Sequence, residues 1–187
     1  KEEYNNKIDD LGEMEWFLGM RVQRDRKSHI LSIDHSRYIT DVLEKFGLTD
    51  VKSSSLPLPV THDLKRRQVG EEREPLKEGE IEFPYLSMLG GALWCSRVCP
   101  EIQYPVSLLA MFASDPTPHH CSMLKKVFQY LKEHKEMGLV FDSNPEKGLN
   151  LEMRGFVDAS YADNYGTPKD NRRSTTGFVF TLQYNFQ

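Results

Sequence analysis

Gly155-Phe156-Val157-Asp158-Ala159-Ser160-Tyr161-Ala162-Asp163, followed after a polar stretch by Arg172-Arg173-Ser174-Thr175-Thr176-Gly177-Phe178-Val179-Phe180, says most about how this chain folds. Phe156-Val157 and Thr176 to Phe180 have the aromatic and β-branched composition of strands. The same texture runs backward through Leu139-Val140-Phe141, Leu149, Leu151 and Met153, so a sheet is expected to begin after Gly138. A carboxylate ending a buried strand, beside small residues that leave room for a metal, is where a hydrolytic Mg²⁺ site takes its first oxygen ligand. Asp158 is that candidate. An aspartate at a strand end is also an ordinary turn or capping residue, so the residues alone leave both readings open.

Moving toward the N-terminus, the periodicity changes from two to 3.6. Leu124, Val127, Phe128 and Leu131 give an apolar seam through residues 119–134. A helix is expected from about Glu101 to Ala113, with Pro105 near its start where the ring does least harm. Pro84 suits the first turn of another helix carrying Leu86, Leu89, Leu93 and Trp94. Three consecutive helices predict a small bundle. Residues 49–82 contain Ser53-Ser54-Ser55, Pro57, Pro59, Lys65-Arg66-Arg67 and a charged run from Glu71 to Glu82, and are expected to form a linker or exposed loop. Before it, Tyr38, Ile39, Val42, Leu43 and Phe46 form a helical stripe stopped by Gly47. Trp16, Leu18, Met20 and Val22, the polar stretch Arg24 to His29, and then Ile30, Leu31 and Ile33 read as a hairpin in which alternation buries one of Trp16 and Phe17.

The fold class is therefore α+β, divided into a hairpin and helix at 1–52, a linker at 53–82, a helical region at 83–137 and a sheet-forming part at 138–187. With 39% hydrophobic residues and a mean hydropathy of -0.57, the composition is that of a folded soluble chain. The net charge of -4 argues against a whole-surface grip on nucleic acid, leaving only local basic patches. No apolar run marks a signal peptide or a membrane span, so no membrane partner is expected. Cys95, Cys99 and Cys121 form no disulfide framework and fit a reducing intracellular setting. The chain opens on Lys1-Glu2-Glu3-Tyr4 and reads as a piece of something longer. The three cysteines with His119 or His120 could supply four zinc ligands. Their spacing is not that of a known knuckle, however, and small buried cysteines are the preferred reading.

Several separated stretches, in order, resemble the Pol polyprotein of copia-type LTR retrotransposons. Asp10-Leu11-Gly12 with Trp16-Phe17-Leu18-Gly19-Met20 is similar to the family's D-L-G, F-L-G hairpin. Tyr38-Ile39, Leu43, Phe46 and Gly47 resemble its thumb helix. Tyr85, Leu89-Gly90-Gly91-Ala92-Leu93 and Arg97 to Ile102 resemble its Y, G-x-L and T-R-P-D-I block, with Ser96, Val98-Cys99 and Glu101 departing from it. His119 or His120, Leu131-Lys132 and Gly138-Leu139 follow its H, Y-L-K and G-L pattern, and Arg173-Ser174-Thr175 with Gly177 its R-S-T-x-G signature.

The resemblance implies a segment running from the end of a reverse transcriptase into the first strands of a ribonuclease H-like mixed sheet. Trp16, Phe17 and Gly19 would belong to a primer-side hairpin, with Trp16 and Phe17 either near a primer sugar or filling the core beneath it. Arg172 and Arg173, like Lys65-Arg66-Arg67, would meet template or primer phosphates or lie on a solvated face. Asp158 would match the first of the acids that bind Mg²⁺ for cutting RNA in an RNA:DNA hybrid. Many relatives carry a second Asp where Ser160 stands, and Asp163 is the local substitute to consider. Asp9-Asp10 lack the tyrosine of the family's Y-x-D-D and read as a turn into the hairpin.

The fragment is thus expected to lack nuclease activity alone and to depend on the remaining Pol segments. Its parent would work on RNA:DNA hybrid or primer-template, in an intracellular setting of cytoplasmic particle and nucleus. The alternative is a non-catalytic nucleic-acid-binding or protein-interaction module derived from such an element. An incomplete sheet also predicts self-association through its open edge.

Overall fold

A computed structural model describes residues 12–67, 70–72, 83–143, 151–160 and 175–184. The chain is α+β, with four α-helices and two antiparallel sheets among the described residues. The first sheet has the order β1-β2-β3-β4, built from β1 (Trp16–Phe17), β2 (Met20–Asp25), β3 (Ile30–Asp34) and β4 (Gly138–Asp142). β1 is a two-residue strand because Leu18 and Gly19, with φ of 50° and 81°, turn the chain back on itself and set Phe17 opposite Met20. Two successive positive φ values match the right-handed twist of the flanking strands.

That turn also breaks the alternation expected from sequence. Trp16 is 45% and Phe17 49% exposed, so neither is buried. β1 is an edge strand only two residues long and ends before a second layer can cover either ring.

β4 corrects a second expectation. Sequence texture groups Leu139-Val140-Phe141 with the C-terminal sheet, but β4 pairs with β3, placing Leu139 opposite Ile33 and Val140 opposite Ser32. Its first residue must be glycine, since a Cβ on Gly138 would overlap the Ile33 carbonyl oxygen. The segment up to Asp142 therefore belongs structurally with the N-terminal hairpin.

α1 (Ser36–Lys45) leaves β3 directly and buries Ile39, Val42 and Leu43, as its stripe predicts. Gly47, at φ 64°, ends it: its N–H donates to the Glu44 carbonyl and the Leu48 N–H to the Leu43 carbonyl. This pair of bonds satisfies carbonyls that the helix leaves open. α2 (Tyr85–Cys95), a 3₁₀ turn at Pro100–Ile102, α3 (Gln103–Ala110) and α4 (Pro118–Glu133) form the expected bundle. α4 supplies its center with Leu124, Val127 and Phe128, all fully buried. The face of α2 differs from the expected one. Leu86 and Leu93 are exposed, and Tyr85, Met88, Leu89, Ala92 and Cys95 fill the core instead.

Residues 49–67, the described start of the expected linker or exposed loop at 49–82, carry no helix or strand but do not stand free of the core. Leu58 is buried, and Val51 and Leu64 pack against the core. The Lys132 ammonium donates to the Thr49 and Val51 carbonyls at 2.7 and 2.8 Å, and the Ser54 N–H to the Gln129 carbonyl at 3.2 Å. The segment is strapped along α4. Arg67 continues the strap with an ion pair to Asp115 at 3.1 Å.

β5 (Leu151–Ser160) and β6 (Thr175–Tyr184) pair with each other as a separate two-stranded sheet. Register puts Met153 with Leu182, Gly155 with Phe180 and Val157 with Phe178 on one face, all exposed. The opposite face carries Glu152, Arg154, Phe156 and Asp158. Among the described residues no helix is long and apolar enough to cross a membrane.

Candidate nucleic-acid interface

The tip of the first sheet carries Trp16, Phe17 and Gly19, three of the site residues expected from sequence. Trp16 and Phe17 emerge from β1 on opposite faces, and Gly19 completes the turn, where a Cβ would lie 4.0 Å from the Tyr38 ring. Trp16, Arg21 and Asp34 are cross-strand neighbors in one row. The Arg21 Nε donates to Asp34 Oδ2 at 2.9 Å, while Asp34 Oδ1 accepts the Ser36 N–H, also at 2.9 Å. Burial would raise the Asp34 carboxyl, but the Ser36 hydrogen bonds and the Arg21 pair outweigh it and hold the group below its ordinary value. Arg21 is thus committed to bracing the β2–β3–α1 junction. A cleft of about 330 Å³ beside the row is lined by Glu13, Glu15, Trp16, Arg21 and Arg24. Glu13 is paired with Arg26 at 2.6 Å, which reduces the negative charge at its mouth.

Two histidines are buried elsewhere in the body. His35, at the start of α1, is fully buried between the Tyr38 and Trp94 rings at centroid distances of 5.7 and 5.6 Å. Burial holds it below its ordinary value against the opposing pull of the Cys95 backbone and Asp34. His120 caps α4: its Nδ1 accepts the Thr117 N–H at 2.8 Å, and the Thr117 Oγ1 accepts the His120 N–H at 3.4 Å. Its ring stacks on Phe112 at 4.0 Å, and burial, helped by His119 and Arg67, pushes it down to about 4. The sequence signal was present but unused: Thr117-Pro118 with a hydrogen-bonding side chain at His120 has the pattern of a helix start with Pro in its first turn.

The zinc reading finds no support. Cys95 and Cys99 are buried in the core, and burial raises both thiols, Cys99 to about 11. His120 Nδ1 is engaged in its cap. Among the described residues no group of three or more His, Cys, Asp and Glu is arranged to hold a metal ion.

That observation bears equally on Mg²⁺. Asp158 stands exposed in β5 opposite Gly177 on the face it shares with Arg154 and Phe156. A hydrolytic Mg²⁺ site needs several oxygen ligands, and the described residues bring no such set to Asp158. Among the described residues they do not make a complete site. Asp163, Arg172, Arg173 and Asp9-Asp10 lie outside the described residues.

Comparison with known proteins finds transposon proteins among the relatives. The chain is 30% identical over 176 residues to the retrovirus-related Pol polyprotein from transposon TNT 1-94 of Nicotiana tabacum, a match covering 92% of this chain and 12% of that protein. The chain belongs with the copia-type retrotransposon Pol polyproteins. A transposon Ty5-1 protein of Saccharomyces cerevisiae is 29% identical over 175 residues, covering 92% of this chain and 51% of that protein. An uncharacterized mitochondrial protein of Arabidopsis thaliana is 28% identical over 176 residues, covering 94% of this chain and 66% of that protein. This Pol-type chain therefore spans about an eighth of the tobacco polyprotein and half to two thirds of the shorter relatives. No family model matches it, and no solved structure matches it.

Proposed function

We propose that this segment joins the polymerase and nuclease parts of a retrotransposon Pol polyprotein. In this reading the β1–β2 hairpin and α1 lie beside primer-template, and β5–β6 are the opening strands of a ribonuclease H-like sheet. The observation that carries the proposal is the paired exposure of Trp16 and Phe17 on a two-residue edge strand, beside a cleft bearing Arg24. Large aromatics left half in water at a strand edge are suited to stacking on bases or sugars. The parent would make DNA on an RNA template and cut RNA in the hybrid. This segment contributes Asp158 to a Mg²⁺ site whose other acids come from elsewhere, and it works with the remaining Pol segments in cytoplasmic particles and the nucleus.

The test is a labeled RNA:DNA hybrid incubated with the chain and Mg²⁺. Salt-sensitive binding without cutting is expected, with loss of affinity on Trp16→Ala, and with Arg172→Ala and Arg173→Ala if these arginines act as a clamp. Cutting that disappears in Asp158→Asn would show that the segment is a complete nuclease and overturn the proposal. A second reading, a protein-interaction module, is favored by the exposed apolar face of Val157, Phe178 and Leu182. It predicts no hybrid binding and self-association in size-exclusion chromatography, whereas a clean monomer speaks against it.

A further inference from the structure

α1 places Arg37 over the Trp16 ring, with the guanidinium carbon 5.6 Å from the ring centroid. The two residues come from different elements, a helix and an edge strand, and both remain exposed. Nothing in the local structure accounts for an arginine at this position. It lies in the first turn of α1, where the helix dipole disfavors a cation, and that turn contains no acid to compensate. Among the described residues Arg37 has no ion pair. By contrast Arg21, Arg26 and Arg67 are each tied to a carboxylate. The internal contact with Trp16 is of the cation–π kind, which at exposed sites contributes little to stability.

A planar guanidinium over a half-exposed indole fixes the indole's orientation and adds a second flat, cationic surface. Bases stack on such surfaces without regard to sequence, and the cation also meets the neighboring phosphate. Arg24, exposed and lining the same cleft as Trp16, extends the positive edge of this surface.

We infer that Arg37 and Trp16 together form a stacking platform for an exposed base face of a nucleic-acid strand, with Arg37 contacting the strand directly. The inference rests on the proposed role of the hairpin and α1 beside primer-template and names Arg37 as the α1 residue that contacts the strand. The role belongs to the guanidinium plane rather than to its charge alone.

The experiment uses the full chain and a short fluorescein-labeled RNA:DNA hybrid with a single-stranded overhang, read by anisotropy and by quenching of tryptophan emission. Arg37→Ala and Arg37→Lys should both weaken binding by about tenfold, the scale of one lost base stack. Trp16→Ala should abolish the quenching, and the double variant Trp16→Ala/Arg37→Ala should bind no worse than the weaker single variant. Thermal midpoints should stay at the wild-type value. Full binding by Arg37→Lys would reduce the residue to a point charge and overturn the platform. Unchanged binding with a lowered midpoint in Arg37→Ala would make the pair an internal clamp and overturn it as well. Those outcomes leave the proposed hairpin function standing, whereas failure of the wild-type chain to bind the hybrid overturns both.

Discussion

Phe128 and Phe178 are the same side chain in opposite circumstances. Phe128 in α4 is fully buried among Gly91, Phe46 and the rest of the helical core, while Phe178 in β6 is 68% exposed beside Phe180. The body built from the first sheet and four helices closes its own core, down to a strap of irregular chain along α4. The β5–β6 hairpin lays Met153, Val157, Phe178, Phe180 and Leu182 on one face and covers none of them. Two strands cannot bury a face between themselves, and a lone hairpin is marginal in water. The body can thus stand as a folding unit, whereas the hairpin has the amphipathic surface of a layer awaiting another.

The largest test of this contrast is the same truncation made twice. Phe128→Ala should cost about 3–5 kcal/mol, the usual range for a buried phenylalanine. Phe178→Ala should stay within about 0.5 kcal/mol, the usual range for an exposed position. Urea unfolding monitored by circular dichroism reads both. Equal losses would mean that the β5–β6 face is covered in solution, a result that a concentration-dependent midpoint would trace to self-association.

Acid should act on the body before the hairpin, because β5 and β6 contain no histidine. His120 titrates near 6.5 when unfolded but at about 4 when folded, so its folded-state value is lowered. Between those values the unfolded chain holds a proton that the folded chain refuses. Its contribution is fully present above pH 6.5 and is lost as pH falls toward 4. That interval corresponds to about 3 kcal/mol. His35 is shifted in the same direction and steepens the loss. His120→Gln keeps a hydrogen-bonding side chain in the cap and should flatten the curve of unfolding midpoint against pH between 6.5 and 4. An unchanged slope would remove His120 as its cause.

A smaller effect isolates the cap itself. Thr117→Ala removes the oxygen that accepts the His120 N–H and one partner of its ring, and should cost about 1 kcal/mol at neutral pH. The loss should appear in helix signal at 222 nm, the far-ultraviolet band of α-helix, about equally with tertiary signal, since α4 is the center of the body. A loss confined to helix signal would mean that the first turn of α4 frays independently.

Sequence reading succeeded where one element's own periodicity carries the information. The Ile39, Val42 and Leu43 stripe with Gly47 marked α1, and Leu124, Val127, Phe128 and Leu131 marked α4. It failed where a partner decides. Leu139-Val140-Phe141 announce a strand but not that β3, more than a hundred residues earlier, pairs with it. In the strap Leu58 is buried while its neighbors Leu56 and Val60 are exposed, and an aperiodic segment carries no signal for which apolar residue makes contact. The candidate site was legible in part. Trp16, Phe17 and Gly19 do gather at one tip, but Arg37, reaching them from α1, has no local signal and was missed. The role of Asp158 comes from the resemblance alone, since strand texture marks β5 but names no partner for its carboxylate.

The smallest prediction concerns the turn that brings the two aromatics to the edge. Leu18 is held at φ 50° and is 67% exposed, so it gains little from burial while occupying a left-handed conformation that β-carbon-bearing residues adopt at a cost. Asparagine tolerates that conformation and is the preferred residue for such a turn. Leu18→Asn should therefore raise stability by about 0.5 kcal/mol, read as a small upward shift of the urea midpoint. A downward shift would mean that the leucine side chain makes a contact outweighing the turn preference. Measured with the hybrid-binding assay, the same variant separates geometry from contact. Unchanged affinity assigns Leu18 a role in shaping the turn alone, whereas a stabilized chain that binds more weakly makes the leucine itself part of the surface the strand meets.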